Sequence, residues 1–91
     1  MDLKQLEYFA AIVEEGSITG AARRLHMAQP PLSHMLKGLE EELGTTLLGR
    51  GARRVTLTQS GEALYRRAKQ MLSLGQAARR ELEDLSLGVR G

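Results

Sequence analysis

Apolar residues return along this chain at three different spacings, and each spacing predicts a different element. In LKQLEYFAAIVEEG, the residues Leu3, Leu6, Phe9, Ala10 and Val13 share one side of a helix. Asp2 stands where a side chain accepts from the first unpaired amides, and Gln5, three residues on, can reach back to complete a capping box. Gly16 supplies a left-handed stop. Ser17 then caps a short second helix, ITGAARRL, whose buried side is Ile18, Ala21, Ala22 and Leu25 and which ends near His26. Its paired alanines let another helix approach closely, as a tight helix-turn-helix requires.

A third helix follows in MAQPPLSHMLKGLEEELG. Leu32, Leu36, Leu39 and Leu43 are four, three and four residues apart and share a face, and Gly44 ends the run. Proline has no amide hydrogen to donate, yet two stand where this helix begins. The first amides of any helix lack an intrahelical acceptor, so Pro30 and Pro31 forfeit little there. With Ala28 as the cap residue they take the second and third helical positions, and they remove the donors that a capping side chain would serve.

The period then changes to two. Val55 and Leu57 alternate with Thr56 and Thr58, as in a half-buried strand, with Leu47-Leu48 as its partner and residues 49–54 as the connection. This predicts a β-hairpin, or wing. From Thr58, a second cap, the spacing becomes helical again. Leu64, Ala68, Met71, Gly75, Ala78, Leu82, Leu85 and Val89 recur at alternating intervals of four and three, the heptad seam of a coiled coil. About 28 residues of helix would extend ~42 Å, further than the preceding domain can cover. The seam from Leu64 to Leu85 is therefore expected to pair two copies of the chain; the competing expectation is a helix packed on its own domain. The fold class is mainly α: three helices and a two-stranded wing over residues 1–58, then a long dimerisation helix over residues 59–91.

Ninety-one residues allow one small domain with a modest core. The absence of cysteine excludes disulfides and cysteine-based zinc sites. No apolar stretch approaches the ~20 residues that cross a bilayer, and no signal-peptide pattern is present, so a soluble cytoplasmic protein is expected, without membrane partners. Net charge is only +2, but it is uneven: residues 1–45 hold four Lys/Arg against seven Asp/Glu, and residues 46–91 hold nine against four. A small average can conceal a basic surface fit for a polyanion, although clustered arginines also occur on ordinary solvated faces.

Nothing in the chain points to catalysis. There is no cysteine nucleophile, and His26 and His34 fall on different elements without a third metal ligand. Glu40, Glu41 and Glu42 point around a helix, and Gly44-x-x-x-x-Gly49 continues as Arg50-Gly51, without the Lys-Ser/Thr of a phosphate-binding loop. No catalytic residue, metal or cofactor is expected. The polar face of the third helix carries more information. It presents Pro30, His34, Lys37 and Glu41, flanked by Gln29 and Ser33, with the acids gathered at its C-terminal end. An acid-free N-terminal portion suits entry into a DNA major groove, where a carboxylate would face phosphate. A plain solvated face accounts for those residues equally well.

The segment GSITGAARRLHMAQPPLSHMLKGLEEELGTTLLGRGARRVTLTQSGEAL resembles the N-terminal winged helix-turn-helix of LysR-type transcriptional regulators. The likeness rests on Ala21-Ala22, Leu25, Gln29-Pro30, Ser33, Leu39-Glu40, Leu43-Gly44, Leu47, Arg50, Arg53, Val55, Leu57-Thr58 and Gly61. It implies sequence-specific binding of double-stranded operator DNA by a homodimer joined through the long helix. By position it implies Gln29, Pro30, Pro31, Ser33 and His34 at base edges or adjacent phosphates and Lys37 on the backbone. Arg53 would lie in a minor groove narrowed by A/T tracts, and Arg50 on phosphate or bracing the wing.

Some positions depart from the family pattern. Ala28 stands where serine or threonine is common, and His34 where arginine or lysine is, which shortens its reach and opens the way to pH-dependent binding. Leu48 replaces phenylalanine, and Gly49 and Gly51 loosen the wing. The family normally continues into a two-lobed domain that binds a small-molecule inducer and on which tetramer formation depends. No inducer site is expected in these residues, and an excised DNA-binding fragment is expected over a natural protein lacking its sensor. The alternative to DNA binding is a dimeric protein-interaction module built on the heptad helix.

Overall fold

The structure is a computed structural model that describes residues 1–49 and 54–87. Helix α1 (Leu3–Glu15) begins with the expected reciprocal cap: the Gln5 amide donates to Asp2 Oδ1 at 2.8 Å, and the Asp2 amide to Gln5 Oε1 at 3.0 Å. It stops at Gly16, whose φ of +77° suits glycine. Its buried residues are Leu6, Phe9, Ala10, Ala11 and Ile12. That face is broader than the predicted stripe and turned from it. Leu3 is half exposed and Val13 partly buried, while Ile12 is fully enclosed. The reason is that α1 packs against every later helix, so its neighbours cover more of its circumference than one stripe implies.

In α2 (Ile18–Arg24), Ser17 Oγ accepts from the Gly20 amide at 2.9 Å, and Ala21 and Ala22 are buried. The turn that follows passes through His26 at φ +57°. Helix α3 (Gln29–Leu43) starts at Ala28 without a side-chain cap bond and ends at Gly44, φ +70°. Leu32, Leu36 and Leu39 join Phe9 and Ile12 in the core. Leu43, expected on the same buried face, is 37% exposed, because it lies at the helix end beyond that cluster.

Glu40 turns the chain from α3 into the wing. Its Oε2 accepts from the Leu47 amide at 2.7 Å and the Leu48 amide at 3.2 Å. Strand β1 (Leu48–Gly49) then pairs antiparallel with β2 (Thr56–Leu57), Leu48 opposite Leu57 and Gly49 opposite Thr56. The ladder is shorter than the alternation suggested. Val55 falls outside it because its amide donates instead to the Gly16 carbonyl at 3.0 Å, tying the wing base to the α1–α2 turn. The connection 50–53, with Arg50 and Arg53, lies outside the described residues.

Helix α4 (Gln59–Ser86) has the expected 28 residues. Thr58 Oγ1 accepts from the Gly61 amide at 3.0 Å and donates to the Thr46 carbonyl at 2.6 Å. Gly61 rests directly on the Leu47 carbonyl, where a Cβ would collide with the oxygen. The heptad seam divides. Leu64 packs against the core, Ala68 is fully buried, and Gly75 faces Leu3 closely enough that a Cβ would come within 3.5 Å of its Cδ1. Met71 is half-buried. This corrects the reading of Ala68 as a dimer residue: its own domain encloses it. Beyond Gly75 the helix projects, with Ala78, Leu82 and Leu85 exposed. Val89 lies outside the described residues.

One carboxylate joins three helices. Glu14 of α1 accepts from Tyr65 Oη at 2.7 Å and Lys69 Nζ at 3.0 Å, both on α4, and pairs with Arg24 Nη2 of α2 at 2.9 Å. The Tyr65 hydrogen bond is the main cause holding the Glu14 carboxyl at about 2, well below its ordinary 4.5, with Lys69 and Arg24 adding to it against partial burial. The same bond raises the Tyr65 phenol.

Three outcomes are expected. Gly61→Ala should destabilise the chain by about 1–3 kcal/mol in urea unfolding, and unchanged stability would contradict the seating of α4 on Leu47. Ala28→Ser should leave thermal stability nearly unchanged, and a gain above ~1 kcal/mol would contradict the account of the proline pair. Because folding depresses the Glu14 pKa, its contribution is complete above about 4.5 and fades as pH falls toward about 2. Glu14→Gln should therefore flatten the stability profile across that acid window, and an unaltered slope would contradict the network.

Candidate nucleic-acid interface

The leucine face of α3 points into the core, so the opposite side meets solvent. Gln29, Pro30, Pro31, His34 and Lys37 are exposed, and Ser33 is half-buried between them. The structure thus brings together six of the eight residues expected to touch DNA. The other two, Arg50 and Arg53, lie outside the described residues.

At the tip, Gln29 Nε2 donates to Ser33 Oγ at 2.6 Å, one helical turn away. The bond restrains both side chains without consuming their chemistry. Gln29 keeps its second amide hydrogen and its carbonyl oxygen, the donor–acceptor pair that matches the major-groove edge of adenine. Ser33 keeps its own hydroxyl proton. Pro30 and Pro31 add stiff apolar surface at the same end, and they lack the amide hydrogens that would otherwise remain open to anions. Position in sequence had paired Gln29 and Ser33 only as neighbours on one face; their hydrogen bond depends on rotamers that residue spacing does not reveal.

The acids sit away from this tip. Glu41 and Glu42 are exposed in the last turn of α3, twelve and thirteen residues and ~18–20 Å from Gln29. Glu40 is committed to the Leu47 and Leu48 amides. Between α3 and the loop before β1, Ser33, Lys37, Glu41, Thr45 and Thr46 line a shallow open cleft of about 620 Å³. Lys37 is the cation on that flank.

Two residues went unassigned on sequence grounds. Arg54 lays its guanidinium over Gly16, so close that a Cβ at Gly16 would lie 2.5 Å from Nη2. With the Val55–Gly16 bond, it fastens the wing base to the start of the helix-turn-helix. The only sequence signal was a glycine, whose open side no local pattern reveals. Glu14 was the other. Its partners Tyr65 and Lys69 are four residues apart on one face of α4, a spacing that marks a helix face but not what lies across from it.

Among the described residues no group of three or more His, Asp or Glu side chains is placed to hold a metal ion, and no helix is long and apolar enough to cross a membrane.

Comparison with known proteins bears on the whole arrangement. Residues 3–62 match the model of the bacterial regulatory helix-turn-helix proteins of the lysR family. The HTH-type transcriptional regulator BsdA of Bacillus subtilis (strain 168) is 47% identical over 92 residues, spanning 100% of this chain and 32% of BsdA. BenM of Acinetobacter baylyi (strain ATCC 33305 / BD413 / ADP1), another HTH-type transcriptional regulator, is 52% identical over 73 residues, 80% of this chain and 24% of BenM. The chain thus spans about a third or less of these relatives, which are transcriptional regulators and not enzymes. Among solved structures, the BenM_DBD/catB site 1 DNA complex has a TM-score of 0.93 at 44% identity, covering 97% of this chain and 95% of that one. The CbnR_DBD–DNA complex has a TM-score of 0.88 at 36% identity, covering 94% and 99%. The four helices, the antiparallel wing base and the buried leucines of α3 are those of a winged helix-turn-helix, and the chain belongs to the lysR family of bacterial regulatory helix-turn-helix proteins.

Proposed function

We propose that this chain is the DNA-binding part of a bacterial transcriptional regulator, acting in the cytoplasm as a homodimer on double-stranded operator DNA. The observation that carries this reading is the tip of α3: an exposed Gln29 hydrogen-bonded to a half-buried Ser33, with no acid beside them, on a body similar to two DNA-binding domains solved as DNA complexes. In this reading the N-terminal half of α3 lies in the major groove. Gln29 reads a base edge, Pro30 and Pro31 make apolar contact with a thymine methyl or the groove wall, and Ser33 and His34 reach bases or phosphates. Lys37 anchors a backbone phosphate. Arg53 enters the flanking minor groove, and Arg50 binds phosphate or braces the wing.

The exposed stretch of α4 supplies the pairing surface. Leu74, Leu82 and Leu85 are 71%, 65% and 55% exposed, and Ala78 lies among them. Covering these side chains with a second copy removes apolar area from water, the main driving force of association. Met71 and Gly75 lie where the helix leaves its own domain and border that surface. Leu64 and Ala68 anchor the helix to its own body. Inducer binding and any tetramer belong, in this reading, to the part of the relatives' length without a counterpart here.

Selection of random duplexes by this chain should return two symmetric half-sites, their centres separated by near-whole turns of roughly 34 Å. Affinity should fall steeply with salt as bound phosphates release counterions. Undetectable duplex binding at low salt would favour the interaction module instead. Gln29→Ala should relax preference at one position per half-site, a loss of about 1–3 kcal/mol in discrimination, and an unchanged selection profile would rule out base reading by Gln29. Arg53→Ala should weaken binding most on A/T-rich flanks; a uniform loss across flanks would mark a generic phosphate contact.

A further inference from the structure

From Glu14's bonds to Tyr65, Lys69 and Arg24 we infer that it is a positioning residue for half-site spacing: it fixes the direction in which α4 leaves the helix-turn-helix. This rests on the dimeric DNA-binding reading above.

Beside the apolar packing of Leu64, Ala68 and Gly75 on its own body, helix α4 is held by hydrogen bonds at two places. At its start, Thr58 and Gly61 seat it on the carbonyls of Thr46 and Leu47. One to two turns further on, Tyr65 and Lys69 reach across to α1 and close on one carboxylate. Ala68, between them, is too small to resist sliding or rolling by its shape, although it is fully buried. Two fixed points define a line, and the second of them is Glu14. Arg24 extends the clasp to α2, where its Nη1 also meets Glu15 at 3.2 Å. The same carboxylate therefore ties the long helix to both elements that support α3.

Past Gly75 no described residue of the chain's own body covers Leu82 and Leu85 on the apolar face of α4. The eleven residues from Gln76 to Ser86 project by ~17 Å. A small change of angle at the clasp is magnified over that distance and doubled by the symmetry of a dimer. The two α3 tips would then reach grooves at altered separation or inclination. Each of these partly exposed bonds adds little stability alone. Their effect lies in directional stiffness, because three donors converge on one group from two helices.

The clasp's members, Glu14, Tyr65, Lys69, Arg24 and Glu15, are not among the residues proposed to meet DNA, so its removal should separate spacing from recognition. The test uses duplexes carrying one half-site, and a series carrying two half-sites with the separation varied by single base pairs. It compares the unsubstituted chain with Glu14→Ala, which removes the hub, and with Tyr65→Phe, which removes one donor and keeps the ring. Thermal melting confirms that each is folded at the assay temperature. Both variants should bind the single half-site within about twofold of the unsubstituted chain. Glu14→Ala should lose at least fivefold of the preference for the best separation over its neighbours, and Tyr65→Phe a smaller part. An unchanged spacing profile in both variants overturns the inference. So does an equal loss on single and paired half-sites, which would make Glu14 a support of the domain as a whole. Failure of the unsubstituted chain to bind any duplex would instead remove the DNA-binding reading on which the inference stands.

Discussion

Burial of Leu32, Leu36 and Leu39 against Phe9 and Ile12 decides what this molecule shows to its surroundings. Each of the three leucines is at most 1% exposed. Turning α3 by one residue, about 100°, would carry Ser33 and Lys37 inward and lift leucines into water. A lysine ammonium there would be buried without a partner. The exposed row of Gln29, Pro30, His34 and Lys37 is thus the complement of the buried row, not an independent feature. The proline pair finishes the arrangement by allowing the helix to begin without a cap, and the Gln29–Ser33 bond then restrains the two side chains best suited to meet a base.

The same core determines where the long helix goes. α1 lies between the helix-turn-helix and α4, which explains why its buried face is wider than one amphipathic stripe. Gly61 against the Leu47 carbonyl, Ala68 against the body, and Glu14 with Tyr65 and Lys69 are successive attachments along one side of α4. They use up the first half of a heptad pattern that reads as continuous. What projects is the second half, with Ala78, Leu82 and Leu85 open to solvent. One helix therefore serves as domain packing at one end and as an apolar, outward surface at the other.

Much of the fold was legible because its signals are local. The capping box of Asp2 and Gln5, the Ser17 and Thr58 caps, and the Gly16 and Gly44 stops each act within a few residues, and all appear where the pattern places them. The departures came where a distant group competed. Val55 alternates like a strand residue, but the Gly16 carbonyl takes its amide. Ala68 fits the heptad, but its own domain encloses it. Leu43 keeps the spacing of its helix yet lies past the end of the core. On the α3 face, residue identities were readable from periodicity, whereas the hydrogen bond between Gln29 and Ser33 required coordinates. Glu14 and Arg54 were invisible for the same reason, since each acts on a partner tens of residues away.

The central claim is that the N-terminal half of α3 is the surface this chain offers to DNA. Amide chemical shifts of the chain, followed as a selected duplex is added, address it residue by residue. The account predicts the largest changes at Gln29, Ser33, His34 and Lys37, the prolines between them being silent. Changes concentrated on the exposed faces of α1 or α4, with the α3 tip unmoved, would contradict it.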